Sequence, residues 1–298
     1  MTESVTRAVG FIGLGAMGLG MAANLVKAGH AVYGYDPSEE RRELADAAGI
    51  TLVGSPREAA ERASDVVFSV VRDAAQTQAV LLGEQGVVRA GGPRTVVVAS
   101  TLDPTTMVRL EADLAKHGVT AVDTTMSGGP WGAEAGTLTL MVSGAGQVFN
   151  RLRPLLDVIG ANIFHLGERV GTAQATKLAV QLTFGINMMG VFEAIRLVDD
   201  YQVDEDALMA ALSVSVGGSW VVDNWRRVKP WWEHYRAGED LDILLKDMRA
   251  VLREADAAGF PMPVTALSFQ LMRHVWPAWA ALKESEGADD RTCEGRDE

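Results

Sequence analysis

The 298-residue sequence has one cysteine, no long uninterrupted apolar run and a shortage of basic side chains. Each shortage excludes something. A lone thiol, Cys293, cannot close an internal disulfide, so the chain is expected in a reducing cytoplasm. No apolar run approaches the roughly 20 residues that cross a bilayer. The N-terminal MTESVTRAVG enters a strand within a few residues and carries no secretory pattern. Membrane insertion is therefore not expected. Lys and Arg number 27 against 39 Asp and Glu, and the formal net charge of −12 argues against nucleic acid or anionic membrane as a partner. The five histidines (His30, His117, His165, His234, His274) show no metal-ligand spacing, so no metal is expected. Internal repeats and low-complexity blocks are also missing.

Hydrophobic residues make up 48% of the chain and charged residues 22%, an ordinary globular balance, and the length suits two domains. The stretch over residues 9–29 organises the rest. It opens apolar with Val9, Phe11 and Ile12 and passes through Gly13-Leu14-Gly15-Ala16-Met17-Gly18. It then continues with Met17, Met21, Ala22, Leu25 and Val26 on one helical face. Strand, glycine turn and helix follow in the order a dinucleotide requires. Gly13 permits the tight turn, Gly15 lets the backbone approach a pyrophosphate, and Gly18 lets helix and strand pack closely. A bare GxGxxG is equally an ordinary tight turn. Here a second strand, residues 31–35, follows and ends at Asp36, where an acid is expected to meet the ribose hydroxyls. An acid there repels a 2′-phosphate, and Pro37 and Ser38 supply no cation, so the expected cofactor is NAD rather than NADP. Arg41 and Arg42, a turn later, would soften that preference.

Further along, Ser38 suits an N-cap with Glu39 and Glu40 in the first turn, and Ser55-Pro56 starts another helix. Residues 65–71 (DVVFSVV) and 94–100 (RTVVVAS) read as parallel strands buried on both faces. Between them Asp73 and Gln76 have capping-box spacing. Asp103-Pro104 opens one more helix, and residues 119–124 form a strand. The alternation specifies a parallel sheet with helices on both faces. The pattern changes after Gly144. Residues 171–199 form a largely apolar segment without proline. Roughly 28 residues at about 1.5 Å each make a helix near 40 Å. Its apolar residues wrap most of the circumference, so both sides are expected to be covered. Beyond it the chain reads helical, with a cap at Asp204 and a break at Gly217-Gly218. The expected architecture is an α/β Rossmann-type domain with a doubly wound, mostly parallel sheet over residues 1–166. An all-α domain over residues 167–284, opened by the long interdomain helix, follows it. Residues 285–298 form an acidic tail expected to be disordered.

Three later stretches carry chemistry. In residues 123–132 (DTTMSGGPWG) a Ser-Gly-Gly turn exposes backbone N–H groups and a hydroxyl, a cradle for a carboxylate. Serine and glycine also populate loops for conformational reasons alone. Lys177 and Gln181 lie four apart on one face of the long helix. A lysine buried there would have its pKa lowered and exchange protons near neutrality, whereas one at the surface would snorkel to solvent. Lys246-Asp247 within LDILLKDMRAVLREA reads either as a site pair or as an ion pair on a solvated face. Most of the seven tryptophans suit core and interface packing.

Taken in order, GFIGLGAMG, SGGPWGAEAGTL, GTAQATK with Gln181, and LLKDM resemble the β-hydroxyacid dehydrogenase family. That family includes 3-hydroxyisobutyrate, tartronate semialdehyde and threonate dehydrogenases. The likeness covers nearly the whole chain except the acidic tail. It implies that Ser127, Gly128 and Gly129 hold a substrate carboxylate, that Lys177 is the general acid/base and that Gln181 positions the substrate. Many members carry Asn at that last place. It also implies that Ser100-Thr101 lines the cofactor and that Lys246 lies near nicotinamide or substrate with Asp247 as its partner. The implied reaction is NAD-dependent oxidation of a β-hydroxy acid to its semialdehyde or keto acid, or the reverse. Two departures touch the cleft: Asp123-Thr124-Thr125-Met126 where the family usually reads Asp-Ala-Pro-Val, and Val71-Arg72 where many members have Leu-Pro. Gly217-Gly218-Ser219 resembles a segment bordering the cleft, so Trp220, like Trp131 after the Ser-Gly-Gly turn, is expected to narrow the pocket or suit a bulky substrate. Two rivals remain. An imine reductase usually carries another residue in place of Lys177 and commonly prefers NADP; a non-catalytic NAD-binding scaffold would be expected to have lost the lysine. An apolar helical domain rich in tryptophan suggests a homodimer or homotetramer.

Overall fold

The computed structural model describes residues 6–91, 94–233 and 240–274. The acidic tail, Cys293, His234, Trp276 and Trp279 lie outside the described residues. The chain divides into two compact units, Met1–Lys177 and Leu178–Glu298.

In the first unit the strands are β1 (Ala8–Ile12), β2 (Ala31–Tyr35), β3 (Thr51–Leu52), β4 (Val66–Ser69), β5 (Arg94–Val98), β6 (Val119–Ser127), β7 (Leu138–Ser143) and β8 (Gly160–His165). The helices are α1 (Ala16–Lys27), α2 (Glu39–Ala47), α3 (Pro56–Arg62), α4 (Ala74–Leu82), α5 (Pro104–Ala115), α6 (Gly129–Ala135) and α7 (Gly146–Ile159). The sheet order is β3-β2-β1-β4-β5-β6-β7-β8, and every neighbouring pair is parallel except β6 with β7. Strand alternation sends Phe11 and Phe68 to one face, where their rings stack 5.5 Å apart in a core shared with Leu25 and Val97. Ile12, Val67, Val96 and Leu114 fill the other face. Both faces are covered, which is why β4 and β5 read as unbroken apolar runs.

The expected caps form. The side chains of Ser38, Ser55 and Asp73 accept hydrogen bonds from the N–H groups of Arg41, Glu58 and Gln76. Three strands were not anticipated: the two-residue β3 and the last two of the sheet. β7 runs antiparallel to β6, and β8 is a partly exposed edge strand without an apolar run, so both extend the sheet beyond the point where the α/β alternation stops.

The second unit continues α8 (Thr172–Asp199), whose first turns belong to the first unit. It adds α9 (Glu205–Ser213), α10 (Trp220–Asp223), α11 (Trp225–Val228), α12 (Pro230–Glu233) and α13 (Asp240–Ala257), and residues 263–274 are also helical. Asp204 caps α9 as expected, accepting from the Ala207 N–H at 3.0 Å. Met188, Met189, Val191, Trp225, Leu244, Met248 and Phe269 belong to one core. Two expectations need correction at α8. By length and apolar character it does qualify as long enough to cross a membrane, although its methionines pack into a protein core. Nor are both of its sides covered: only 28% of its most apolar window is buried, and Leu197 stands exposed.

Candidate active site

Strand order reverses between β1 and β4, and in such sheets ligands bind beyond the C-terminal strand ends at that switch point. The glycine turn follows β1, Asp36 follows β2, Val71-Arg72 follows β4 and Ser100-Thr101 follows β5. Strand topology thus collects these residues at one edge. Short bonds tie them together. The Gly13 N–H donates to the Tyr35 carbonyl at 2.9 Å, the Leu14 N–H to Asp36 Oδ2 at 2.8 Å, and Ser100 Oγ to the Val71 carbonyl at 2.7 Å. Asp36 Oδ1 accepts from the Ser38 N–H at 2.9 Å, so both carboxylate oxygens are oriented by backbone.

The three glycines differ in what requires them. Gly13 has a φ of +92°, and a Cβ on it would run into the Val70 carbonyl. A Cβ on Gly18 would collide with the Gly13 carbonyl, so Gly18 sets the contact between helix and turn. At Gly15 φ is −66° and a Cβ would meet nothing within 4 Å. Neither strain nor packing demands glycine there; the open approach beside a helix start does. α1 has no side-chain cap and no acid in its first turn, which leaves its N–H groups to meet an anion. Gly13, Leu14, Gly15, Ala16, Met17 and Gly18, with Asp36, therefore fit a dinucleotide.

The Ser-Gly-Gly turn is pinned to the same helix. Ser127 ends β6, and Gly128 and Gly129 have φ of +130° and +67°, conformations that favour glycine. Gly20 of α1 leaves no room for a Cβ against the α6 backbone at Ala133. Asn24 donates to the carbonyls of Ala133 and Glu134 at 2.8 and 3.1 Å. Trp131 lies against Gly129, where an added Cβ would come within 2.7 Å of its ring.

Lys177 does not snorkel: it is 8% exposed. The turn before it is bound to the sheet by Asp123, Ser143 and Gln174, three residues that sequence reasoning did not assign to the site. Asp123 is fully buried. Burial pushes its carboxyl up, while bonds from Gly171, Ser143 and Gln174 pull it down. The available signal was Gln174 itself, a polar side chain three residues before the lysine in an otherwise apolar helix.

In the second unit Asp247 is 2% exposed, which removes the solvated-face reading. Its Oδ2 accepts from Gln181 Nε2 at 2.8 Å and its Oδ1 is 3.2 Å from Lys246 Nζ. Phe184, one turn beyond Gln181, meets the edges of Trp220 and Trp231 at 5.8 and 6.0 Å, and Trp220 is 46% exposed. Among the described residues no group of acids, cysteines or histidines could hold a metal.

Residues 8–167 match the NAD binding domain of 6-phosphogluconate dehydrogenase, and residues 171–290 match the NAD-binding segment of NADP-dependent 3-hydroxyisobutyrate dehydrogenase. A probable mitochondrial 3-hydroxyisobutyrate dehydrogenase of Dictyostelium discoideum is 34% identical over 91% of this chain and 86% of its own length. An NAD-dependent L-serine dehydrogenase of Pseudomonas aeruginosa is 32% identical over 89% and 91%. The Mycobacterium tuberculosis 3-hydroxyisobutyrate dehydrogenase with L-serine superposes with a TM-score of 0.81 at 27% identity, covering 93% of this chain and 96% of that one. Imine reductases, such as that of Streptomyces aurantiacus at 21% identity, share the fold alone. With a glycine turn shaped for the dinucleotide, a pinned Ser-Gly-Gly turn and a buried Lys177 one helical turn before Gln181, the chain belongs to the β-hydroxyacid dehydrogenase family, as an NAD-dependent oxidoreductase acting on CH–OH.

Proposed function

We propose that the chain oxidises the β-hydroxyl of a small carboxylic acid, or reduces the corresponding carbonyl, with Lys177 as general acid/base. The burial of Lys177, on the same helical face as Gln181, is the observation that carries this reading. General acid/base work needs a side chain that can give and take a proton and is held in place, and a lysine packed on the helix meets both conditions. In the oxidative direction Lys177 takes the hydroxyl proton; in reverse its ammonium returns the proton to the forming alkoxide. Ser127, Gly128 and Gly129 bind the carboxylate, which fixes which hydroxyl faces the reacting carbon. Gln181, held by Asp247, orients the substrate. NAD, when bound, supplies the hydride acceptor. Ser100 and Thr101 line its reactive end, and Asp36 receives the ribose hydroxyls and disfavours a 2′-phosphate. Trp131, beside the Ser-Gly-Gly turn, limits the size of the substrate. The working form is a homodimer or homotetramer in the cytoplasm.

The test is a panel of 3-hydroxyisobutyrate, L-serine, L-threonate and an aromatic β-hydroxy acid, with NAD and NADP in parallel and reduced nicotinamide followed optically. Turnover with NAD is expected on at least one acid. Asp36→Ala should narrow the preference for NAD by about tenfold, the equivalent of about 1.4 kcal/mol. No turnover on any acid, or a cofactor preference that Asp36→Ala leaves unmoved, contradicts the proposal.

A further inference from the structure

The residue before α8 is Gly171, which has no side chain with which to cap the helix that carries Lys177. The first-turn N–H groups are met from the sheet instead. Asp123 Oδ2, on β6, accepts from the N–H groups of Gly171 and Gln174 at 2.9 and 3.2 Å. Ser143 Oγ, on β7, accepts from the Ala173 N–H at 3.1 Å and donates to Asp123 Oδ2 at 3.0 Å. Thr125 Oγ1 adds a bond to the Ala173 carbonyl at 3.1 Å.

The Gln174 side chain is wholly buried and reaches in the other direction as well. Its Nε2 donates to Asp123 Oδ1 at 2.8 Å and to the Ser100 carbonyl at 3.1 Å, while its Oε1 accepts from the Leu102 N–H at 2.8 Å. Chemistry settles the orientation of the amide, because a carboxylate only accepts and a backbone N–H only donates. One amide therefore grips both sides of Thr101, at the end of β5. The same residue sits three positions before Lys177, on the same helical face.

We propose that Gln174, held by Asp123, is a positioning residue that keeps Lys177 and the Ser100-Thr101 strand end in one register. This rests on the reading of Lys177 as the acid/base. Proton transfer and cofactor contact occupy different elements, and this buried amide bonds one to the other. A shift of about 1 Å in a reacting group costs on the order of 100-fold in rate, and a network with every member satisfied resists such a shift.

The test uses Gln174→Met, which keeps the length of the side chain but neither donates nor accepts in its place. The best acid of the panel serves as substrate, and thermal unfolding checks folding. The expected result is a kcat lower by about 10- to 100-fold, with NAD affinity within about threefold of wild type. The solvent deuterium isotope effect on kcat should rise, because a displaced lysine slows proton transfer. Ser143→Ala, which removes one donor to Asp123 and the acceptor for Ala173, should shift both readings the same way to a smaller extent. It decides the matter if Gln174→Met does not fold. A folded variant with kcat within about twofold of wild type, or a loss confined to NAD affinity, overturns the proposal. Lys177→Ala is measured alongside. If it keeps wild-type kcat, the acid/base reading fails and the positioning role with it; if it abolishes turnover while neither other variant changes kcat, the positioning role alone fails.

Discussion

A Cβ at Gly18 would run into the Gly13 carbonyl, whereas one at Gly15, a helical turn away, would meet nothing within 4 Å. The two positions separate what the fold needs from what the cofactor needs. Gly18→Ala should lower stability by about 1–3 kcal/mol through overpacking. Gly15→Val should cost less than about 1 kcal/mol, since an N-cap tolerates it poorly but nothing clashes. The same valine should weaken NAD binding more than about tenfold, because backbone approach to the pyrophosphate is lost. Thermal unfolding and an NAD titration on tryptophan fluorescence measure the pair. Wild-type NAD affinity in Gly15→Val would show that the glycine turn is only a turn. At this scale much of the site was legible. Glycine spacing and Asp36 carry their reasons locally. Lys177 did not: a lysine in an apolar helix is compatible with burial or with snorkelling, and only packing decides between them. Asp123 and Gln174 were inside quoted motifs, yet their meeting joins residues 51 positions apart, which no local pattern encodes.

Elements were read most reliably where cap and period agree. β1, α1 and β2 lie where the glycine turn put them, and Ser38, Ser55, Asp73 and Asp204 cap the helices they precede. β7 and β8 escaped because they add to the sheet after the β-α alternation has ended, and β8 is half solvated. The extent of α8 was readable from apolar content, but its partners were not. One connection between elements carries a pH dependence. His30, between α1 and β2, is buried and its Nδ1 accepts from the Arg7 N–H at 3.3 Å. Burial, with the charge of Arg7 behind it, holds the imidazole below its ordinary value of 6.5. A folded-state pKa below the unfolded one means that the unfolded chain takes up the proton first. The stability contributed is therefore present above about pH 6.5 and lost as pH falls through that value toward the folded pKa. In His30→Gln, which can still accept from Arg7 without titrating, urea midpoints at pH 7.5 and 5.5 should differ less than in wild type. An equal difference in both proteins would remove His30 as the cause.

For the whole molecule, the uncovered faces of α8 and the net charge of −12 pull in opposite directions. Exposed apolar helix favours self-association, while net charge of one sign opposes it and keeps the protein soluble. Light scattering on the eluting peak should give twice or four times the chain mass, and a monomer at micromolar concentration would contradict the proposed assembly. The family, the sheet and the cofactor converge on one reacting group, and a single substitution interrogates it. Lys177→Ala, assayed on the best acid of the panel with NAD binding measured separately, should lose at least about 100-fold in kcat, the lower range of general acid/base contributions. NAD affinity should be retained. Near-wild-type turnover in that variant would contradict the account, because the proton would then be moved by some other group.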